Sequence, residues 1–179
     1  SVNTDETLGT AITGNEGRLD LVANESLDIV GGIYGYNEVY GGKSNLIFNI
    51  NQNEGSTAKT TIVGDIDAAK GSEVNIGLKG TGSSITGNML VSAEGTTLPG
   101  GLINLQFGDE GTITGNITAQ DEGVIKITAG DDFNINGNLL ATTAGSSIDI
   151  QGSDVEIESV NGGLWAENYA KININANEA

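Results

Sequence analysis

The sequence predicts an all-β protein, a right-handed, single-stranded parallel β-helix of about 22 residues per coil. Three observations carry this prediction. A unit of the form I-x-G-[ND] returns at a nearly constant interval, and apolar and polar residues alternate between its copies. The 179 residues include 28 Gly and 1 Pro but no Cys and no His. A long period filled with several short strands is typical of a solenoid, in which each strand pairs with its equivalent one turn later.

The repeat consists of two independent series. The first has spacings of 23, 28 and 22 (85−62, 113−85, 135−113) and comprises Ile62, Ile85, Ile113 and Ile135. The second has spacings of 29, 22, 23 and 24 and comprises the pairs Val74/Ile76, Ile103/Leu105, Ile125/Ile127, Ile148/Ile150 and Ile172/Ile174. Each series is lengthened once, at overlapping positions, so a single insertion of about six residues explains both long intervals. The predicted site of the insertion is GTTLPGG at 95–101, which holds the only Pro.

Within a period the predicted strands are short and half-buried. In TITGNITA, 112–119, Ile113 and Ile117 are predicted to face the interior while the Thr and Asn residues face solvent. GVIKITAG, 123–130, repeats the pattern with its two isoleucines inside. Strands of roughly three to five residues are too short for a sandwich and favour stacked coils.

A Gly-Asn or Gly-Asp pair follows each isoleucine of the first series. The four pairs are Gly64 with Asp65, Gly87 with Asn88, Gly115 with Asn116, and Gly137 with Asn138. Gly suits a tight corner because it lacks a Cβ atom, and Asn and Asp bond to nearby backbone in bends. Asn side chains stacked coil on coil can form an amide ladder. We interpret these residues as a structural ladder at one corner; the alternative is a row of Asn that binds a ligand.

The chain is predicted to form one domain over 1–179. Regular coils are expected over 58–179, with the insertion at 95–101, and irregular coils over 1–57. At roughly 4.8 Å per coil, seven or eight coils make a rod about 35 to 40 Å long.

A Tyr- and Gly-rich segment, GGIYGYNEVYGG at 31–42, is predicted to be a loop that interrupts the irregular coils. Its tyrosines form the candidate interaction surface: Tyr34, Tyr36 and Tyr40. Tyrosine suits contacts with proteins or sugars because it presents apolar area with a polar tip. The alternative is that Tyr34 and Tyr36 cover an irregular coil. Trp165 and Tyr169 are also candidates for contact with a partner; the alternative is that they cover one end of the rod.

The charge excludes several partners. Lys and Arg number 7 against 24 Asp and Glu, so the formal net charge is −17. Phosphate backbones and anionic lipid surfaces repel such a chain, which argues against nucleic acid and anionic membranes as partners. The chain lacks Cys for a disulfide framework and has no apolar run near the ~18 residues that span a bilayer. It opens at Ser1 without Met or a signal-like apolar core, so we expect a mature or excised segment.

The segment INLQFGDEGTITGNITAQDEGVIKITAGDDFNINGNLLATTAGSSIDI resembles the passenger region of Gram-negative autotransporter adhesins. More loosely, it is similar to filamentous-haemagglutinin-like β-helix repeats. The resemblance covers about 58–151. It implies export through the outer membrane to the bacterial cell surface, where the parent would be tethered. It also implies adhesion, self-association or biofilm formation, with a host-cell protein or glycan, or copies of the chain itself, as partners.

An enzymatic function is an alternative, because some β-helices are polysaccharide-processing enzymes. Neighbouring Asp131 and Asp132 could form the acid and base of a glycoside hydrolase. The chain has no His for a polygalacturonase-like site or a catalytic triad, and its sole Arg is Arg18. We therefore expect no enzymatic activity. The alternatives are a passive stalk that presents a functional head elsewhere in the parent and, second, a polysaccharide-processing enzyme.

No cofactor is predicted, and Cys/His zinc sites are excluded by composition. Calcium is the alternative, because carboxylates recur at the turns 107–111, 129–133 and 152–159. The nonapeptide calcium pattern of β-rolls is missing. The simpler interpretation is that these acids keep the rod soluble.

Overall fold

A computed structural model of the chain describes residues 6–8, 12–14, 18–35, 46–53, 55–93, 99–158 and 163–176. Regular structure in these ranges consists of β-strands without a helix. The strands span three to six residues, because Gly, Asn and Asp interrupt the apolar-polar alternation at each corner. Their bounds in chain order are β1 Glu6–Leu8, β2 Ile12–Gly14, β3 Arg18–Ala23, β4 Leu27–Val30, β5 Ile33–Gly35, β6 Ile47–Gln52, β7 Thr61–Val63, β8 Ile66–Ala69, β9 Glu73–Leu78, β10 Ser83–Thr86, β11 Met89–Ser92, β12 Leu102–Phe107, β13 Gly111–Thr114, β14 Ile117–Ala119, β15 Val124–Thr128, β16 Asp132–Asn136, β17 Leu139–Ala141, β18 Ser147–Gly152, β19 Asp154–Glu158, β20 Leu164–Ala166 and β21 Lys171–Ala176.

These strands form three parallel sheets of seven strands each. Each strand pairs with the strand three places further along the chain. Sheet 1 contains β1, β4, β7, β10, β13, β16 and β19; sheet 2 contains β2, β5, β8, β11, β14, β17 and β20; sheet 3 contains β3, β6, β9, β12, β15, β18 and β21. Three consecutive strands, one from each sheet, make one rung. The chain is therefore a parallel β-solenoid, which confirms the predicted all-β stack of parallel strands.

Both repeat series lie in register along the solenoid. Sheet 1 pairs the first series from rung to rung: Ile62, Ile85, Ile113 and Ile135. Sheet 3 pairs the second series in the same way, through Val74, Ile103, Ile125, Ile148 and Ile172. One turn takes about 24 residues, slightly more than the 22 predicted.

The links between sheets 2 and 3 differ most in length. The link 70–72 between β8 and β9 is short, whereas 36–46 follows β5 and 93–101 follows β11. Two long links therefore leave the same corner of the solenoid, two rungs apart. Segments 36–45 and 94–98, which include most of the predicted insertion, lie outside the described residues.

The number of closed turns is smaller than predicted. Inward-facing apolar residues are buried in the five rungs from β4–β6 to β16–β18. In the last rung, β19–β21, Val155, Ile157 and Ile172 are only partly buried, because among the described residues no further strand stacks on this rung. The prediction of seven or eight coils is therefore too high, since the solenoid completes about five turns.

Rows of branched aliphatic side chains fill the interior. Ile62, Ile85 and Ile113 each have no exposed surface, and one fully buried side chain of this kind contributes roughly 1.5 to 3 kcal/mol. Phe107 and Phe133 stack with ring centroids 5.3 Å apart, and their planes are tilted by 39°. Gly111 leaves the space for this pair, because a Cβ atom there would lie 2.4 Å from the Phe107 ring.

The predicted loop at 31–42 is partly strand. Ile33–Gly35 form β5 in sheet 2, with Tyr34 facing outward between two buried neighbours. Gly35 packs closely on the next rung, since a Cβ atom there would lie 3.0 Å from Ser72 Oγ. The glycine content of this segment predicted a loop, but Gly35 instead allows two strands to pack closely.

Candidate binding face

The four predicted corner glycines stack where sheet 1 turns into sheet 2. Gly64, Gly87 and Gly115 have φ values of 136°, 153° and 147°, which L side chains rarely adopt. A Cβ atom on Gly115 would lie 2.0 Å from the carbonyl oxygen of Gly87, and one on Gly137 would lie 1.9 Å from that of Gly115. Glycine is therefore required at this corner for two reasons: the backbone conformation of the bend and the direct stacking of one rung's backbone on the next.

The four residues after these glycines form a ladder. The backbone N–H of Asn88 donates to Asp65 Oδ1 at 2.7 Å, and that of Asn116 donates to Asn88 Oδ1 at 3.0 Å. The series continues from Asn138 to Asn116 Oδ1 at 3.2 Å and from Gly163 to Asn138 Oδ1 at 3.0 Å. Because each side-chain oxygen already accepts a bond from the next rung, this corner is built for stacking.

A second polar ladder lies on the outer face of sheet 3. Asn104 Nδ2 donates to Asn75 Oδ1 at 2.7 Å, and Asn75 Nδ2 donates to Asn49 Oδ1 at 2.9 Å. Asn49 Nδ2 in turn donates to Asp20 Oδ1 at 2.6 Å. These residues belong to one register, the central column of sheet 3: Asp20, Asn49, Asn75, Asn104, Lys126, Asp149 and Asn173.

Sequence reasoning missed this column, although a signal for it exists. Each member from Asn75 onward is the residue enclosed by an apolar pair of the second repeat series, as in Val74-Asn75-Ile76. In a strand, the residue between two inward neighbours must face outward. Aligning the enclosed residues would have revealed the column.

At the first rung the column ends in an ion pair. Arg18 Nε donates to Asp20 Oδ2 at 2.8 Å, and both side chains are more than half exposed. The Arg18 hydrogen bond, and then that of Asn49, lowers the pKa of Asp20 below its usual range. The same contact raises the pKa of Arg18.

The three sheets differ in charge. The strands of sheet 3 carry three cations and three anions: Arg18, Lys126, Lys171, Asp20, Glu73 and Asp149. The strands of sheet 1 carry six acids and no base: Glu6, Asp28, Asp132, Asp154, Glu156 and Glu158. Sheet 2 contributes only Asp67. Sheet 3 is therefore an electrically balanced face on a strongly acidic rod.

Two recesses open along this balanced face. One, of about 330 Å³, is lined by Gly77, Asn75 and Asn104, among others. The other, of about 480 Å³, lies on the outer face of the adjacent strands β18 and β21 and is lined by Asp149, Tyr169 and Asn173, among others. Both recesses are shallow and open to solvent along the face.

The corner between sheets 2 and 3 borders the larger recess and contains unusual backbone. All six non-glycine residues of the described ranges that have positive φ lie there: Lys70, Asp121, Glu122, Thr143, Asn168 and Tyr169. Hydroxyl groups support this backbone, since the N–H of Asp121 donates to Thr143 Oγ1 at 2.6 Å and that of Glu122 donates to Ser146 Oγ at 3.1 Å. Backbone of this kind concentrates at functional sites.

The other predicted site residues are dispersed. Tyr34 lies in register with Asp67 on sheet 2, while Tyr36 and Tyr40 lie outside the described residues. Asp131 and Asp132 are exposed on the acidic side of the rod. The described ranges hold no group of three His, Cys, Asp or Glu residues arranged to bind a metal.

No protein-family model, curated protein or solved structure matches this chain. Within the described ranges, no helix is long and apolar enough to cross a bilayer. Function is therefore inferred from the faces of the solenoid.

Proposed function

We propose that the chain is a segment of a surface-displayed or secreted bacterial adhesin. In this proposal it is a right-handed β-helix of the autotransporter passenger kind that mediates cell adhesion, self-association or biofilm formation. The resemblance of residues 58–151 to such passenger repeats supports the class. The handedness follows from the rule that crossovers between parallel strands of one sheet are right-handed.

The balanced outer face of sheet 3 carries this proposal. Its central column presents one outward side chain per rung from Asp20 to Asn173, and four of the seven are Asn. Each contact with such a row is weak, but a partner that engages several rungs at once gains effective concentration and hence avidity. A face made of many small contacts suits adhesion better than catalysis.

The partner in this proposal is a host-cell surface glycan or protein, or another copy of the chain, outside the bacterium. The net charge of −17 disfavours nucleic acid. The same charge opposes self-association at low salt, so copies would meet through sheet 3, where repulsion is smallest.

Attachment of coated beads tests the proposal. Beads carrying the chain are mixed with host cells and with one another, with calcium present or chelated. The double variant Asn75→Asp/Asn104→Asp places two carboxylates on sheet 3 and is expected to reduce attachment or clumping at least about fivefold.

The matched control places the same two substitutions on sheet 1. Asn134→Asp/Asn136→Asp changes the net charge equally but leaves sheet 3 intact, and circular dichroism checks that both variants fold. Equal loss in both variants would point to charge alone and contradict a role for sheet 3. Beads that bind nothing under any condition would indicate a passive stalk.

A further inference from the structure

We infer that the recess on the outer face of β18 and β21 is a binding subsite for an uncharged linear polysaccharide, with Tyr169 as its stacking platform. This inference rests on the proposed function and names the class of ligand that the adhesive face recognises. It assigns the site to three side chains from two adjacent rungs: Asp149, Tyr169 and Asn173.

Tyr169 lies at the corner between sheets 2 and 3, in the last rung that the structure describes. Its side chain is 92% exposed, and its φ is 67° directly after Asn168 at 54°. Left-handed backbone costs free energy at any residue other than glycine, and so exposed a ring recovers little of it by burial. The turn is nevertheless held, since the N–H of Ala170 donates to the Glu167 carbonyl at 3.0 Å and that of Lys171 donates to the Ser146 carbonyl at 3.0 Å. A fixed, exposed ring offers an apolar face to the C–H side of a sugar.

The polar groups of the recess match the hydroxyl groups of a sugar. Asp149 is oriented by Ser147, whose Oγ donates to Asp149 Oδ2 at 3.0 Å, and by Asn173, whose Nδ2 donates to Asp149 Oδ1. The carboxylate retains lone pairs that accept hydrogen bonds, and the amide retains one N–H and its oxygen. Sugar hydroxyls both donate and accept, so the pair can bind two neighbouring hydroxyls without rearrangement.

The recess continues into a row with a regular repeat. Above Asp149 the central column proceeds through Lys126 and Asn104 to the second recess at Gly77. Successive members lie roughly 4.8 Å apart, so the distance from Asn49 to Asn173 is about 24 Å. This repeat is close to the length of one sugar residue in an extended polysaccharide, so adjacent rungs can contact adjacent sugars.

Charge selects an uncharged polysaccharide over a polyanion. Around the recess, Lys126 and Lys171 are offset by Asp149 and by the acids of the adjoining links, Glu122 beside Gly145 and Glu167 before Asn168, which leaves no excess of positive charge there. The whole chain carries a net charge of −17, so sulfated or uronate-rich chains are repelled as they approach.

Affinity electrophoresis of the full chain in native gels tests the inference. The probes are glucomannan, which is uncharged and linear, and alginate, which is a linear polyanion. The chain should be retarded by glucomannan and not by alginate. Tyr169→Gly should raise the dissociation constant for glucomannan about tenfold, because it removes the stacking surface.

The control is Asn168→Gly, which removes the neighbouring side chain from an equally left-handed residue outside the recess. Both substitutions relax the backbone, so both variants should be at least as stable as the parent, and only Tyr169→Gly should lose binding. Tyr169→Phe should bind as the parent does. Equal binding by all variants, no retardation by glucomannan, or retardation by alginate alone would overturn the inference.

The bead assay separates this inference from the proposed function. Beads that attach to cells while glucomannan leaves the chain unretarded would overturn the polysaccharide site and leave adhesion through another ligand. Retardation that depends on Tyr169, together with beads that bind no cell, would support the site and contradict the adhesive role.

Discussion

The side-chain oxygen of Gln52 accepts a hydrogen bond from the backbone N–H of Lys79, one rung further along, at 2.7 Å. It also accepts one from Gly80 at 3.0 Å, while its Nε2 donates to the carbonyls of Glu25 and Ala58, each at 2.7 Å. Gln52 is only 3% exposed. One buried amide thus joins three consecutive rungs at the corner between sheets 3 and 1.

Replacing Gln52 by Leu is expected to lower the free energy of unfolding by about 2 to 4 kcal/mol. The volume is nearly retained, but the buried N–H of Gly80 and the partly buried backbone groups of Glu25, Ala58 and Lys79 lose their partner. Urea denaturation monitored by circular dichroism measures the change. Gln151→Leu, at an exposed position of sheet 3, is the control and should stay within about 0.5 kcal/mol of the parent. Equal effects of the two substitutions would show that the three-rung contact contributes nothing.

Replacing Gly115 by Ala should be among the most damaging single-methyl changes. The added Cβ atom would lie 2.0 Å from the Gly87 carbonyl oxygen, so two rungs would have to separate. We expect a loss of about 3 kcal/mol or more, measured by thermal and urea unfolding.

Gly82→Ala separates this steric effect from backbone strain. Gly82 has φ of 69°, and nothing lies within 4 Å of a Cβ atom placed there. Its substitution should cost only about 1 kcal/mol. A similar loss at both sites would mean that backbone conformation, and not the stacking of rungs, requires glycine at the corner.

The strands and their buried positions could be predicted from the sequence, but the contacts between side chains of different rungs could not. Inward positions such as Ile85 could be predicted because a strand has a period of two and buried rows repeat it. The Asn75 ladder and the recess beside Tyr169 depend on which residues become neighbours after a full turn, and 20 residues separate Asp149 from Tyr169 in the chain (169−149). The number of closed turns was overestimated because a repeat does not indicate whether its strands are covered on both sides.

The Arg18 and Asp20 pair predicts a specific titration. Its contacts lower the pKa of Asp20 below the ordinary value of 3.8, so its contribution to stability is present above the unfolded-state pKa. That contribution is lost as the pH falls through the lower, folded-state pKa. Arg18→Gln should raise the pKa of Asp20 toward its ordinary value, as measured by carboxyl carbon NMR. An unchanged titration would mean that the ion pair does not persist in solution.

Like charges face one another at the C-terminal end of sheet 1. Asp132 of β16 pairs in register with Asp154 of β19, and two more acids, Glu156 and Glu158, follow along β19. Like charges directly opposite on adjacent strands are destabilising. Asp154→Asn should therefore raise the free energy of unfolding by about 0.5 kcal/mol at low salt. Asn136→Asp, which places a new carboxylate opposite Glu158, should lower it by a similar amount.

Salt distinguishes repulsion from an unrelated packing effect. In 1 M salt the Debye length falls to about 3 Å, so exposed carboxylates on adjacent strands are screened from one another. The stabilisation by Asp154→Asn and the destabilisation by Asn136→Asp should both shrink toward zero in urea titrations at that ionic strength. Effects of unchanged size would show that the two substitutions act through hydrogen bonding or packing, and that acidic residues along sheet 1 impose no electrostatic cost on the stack.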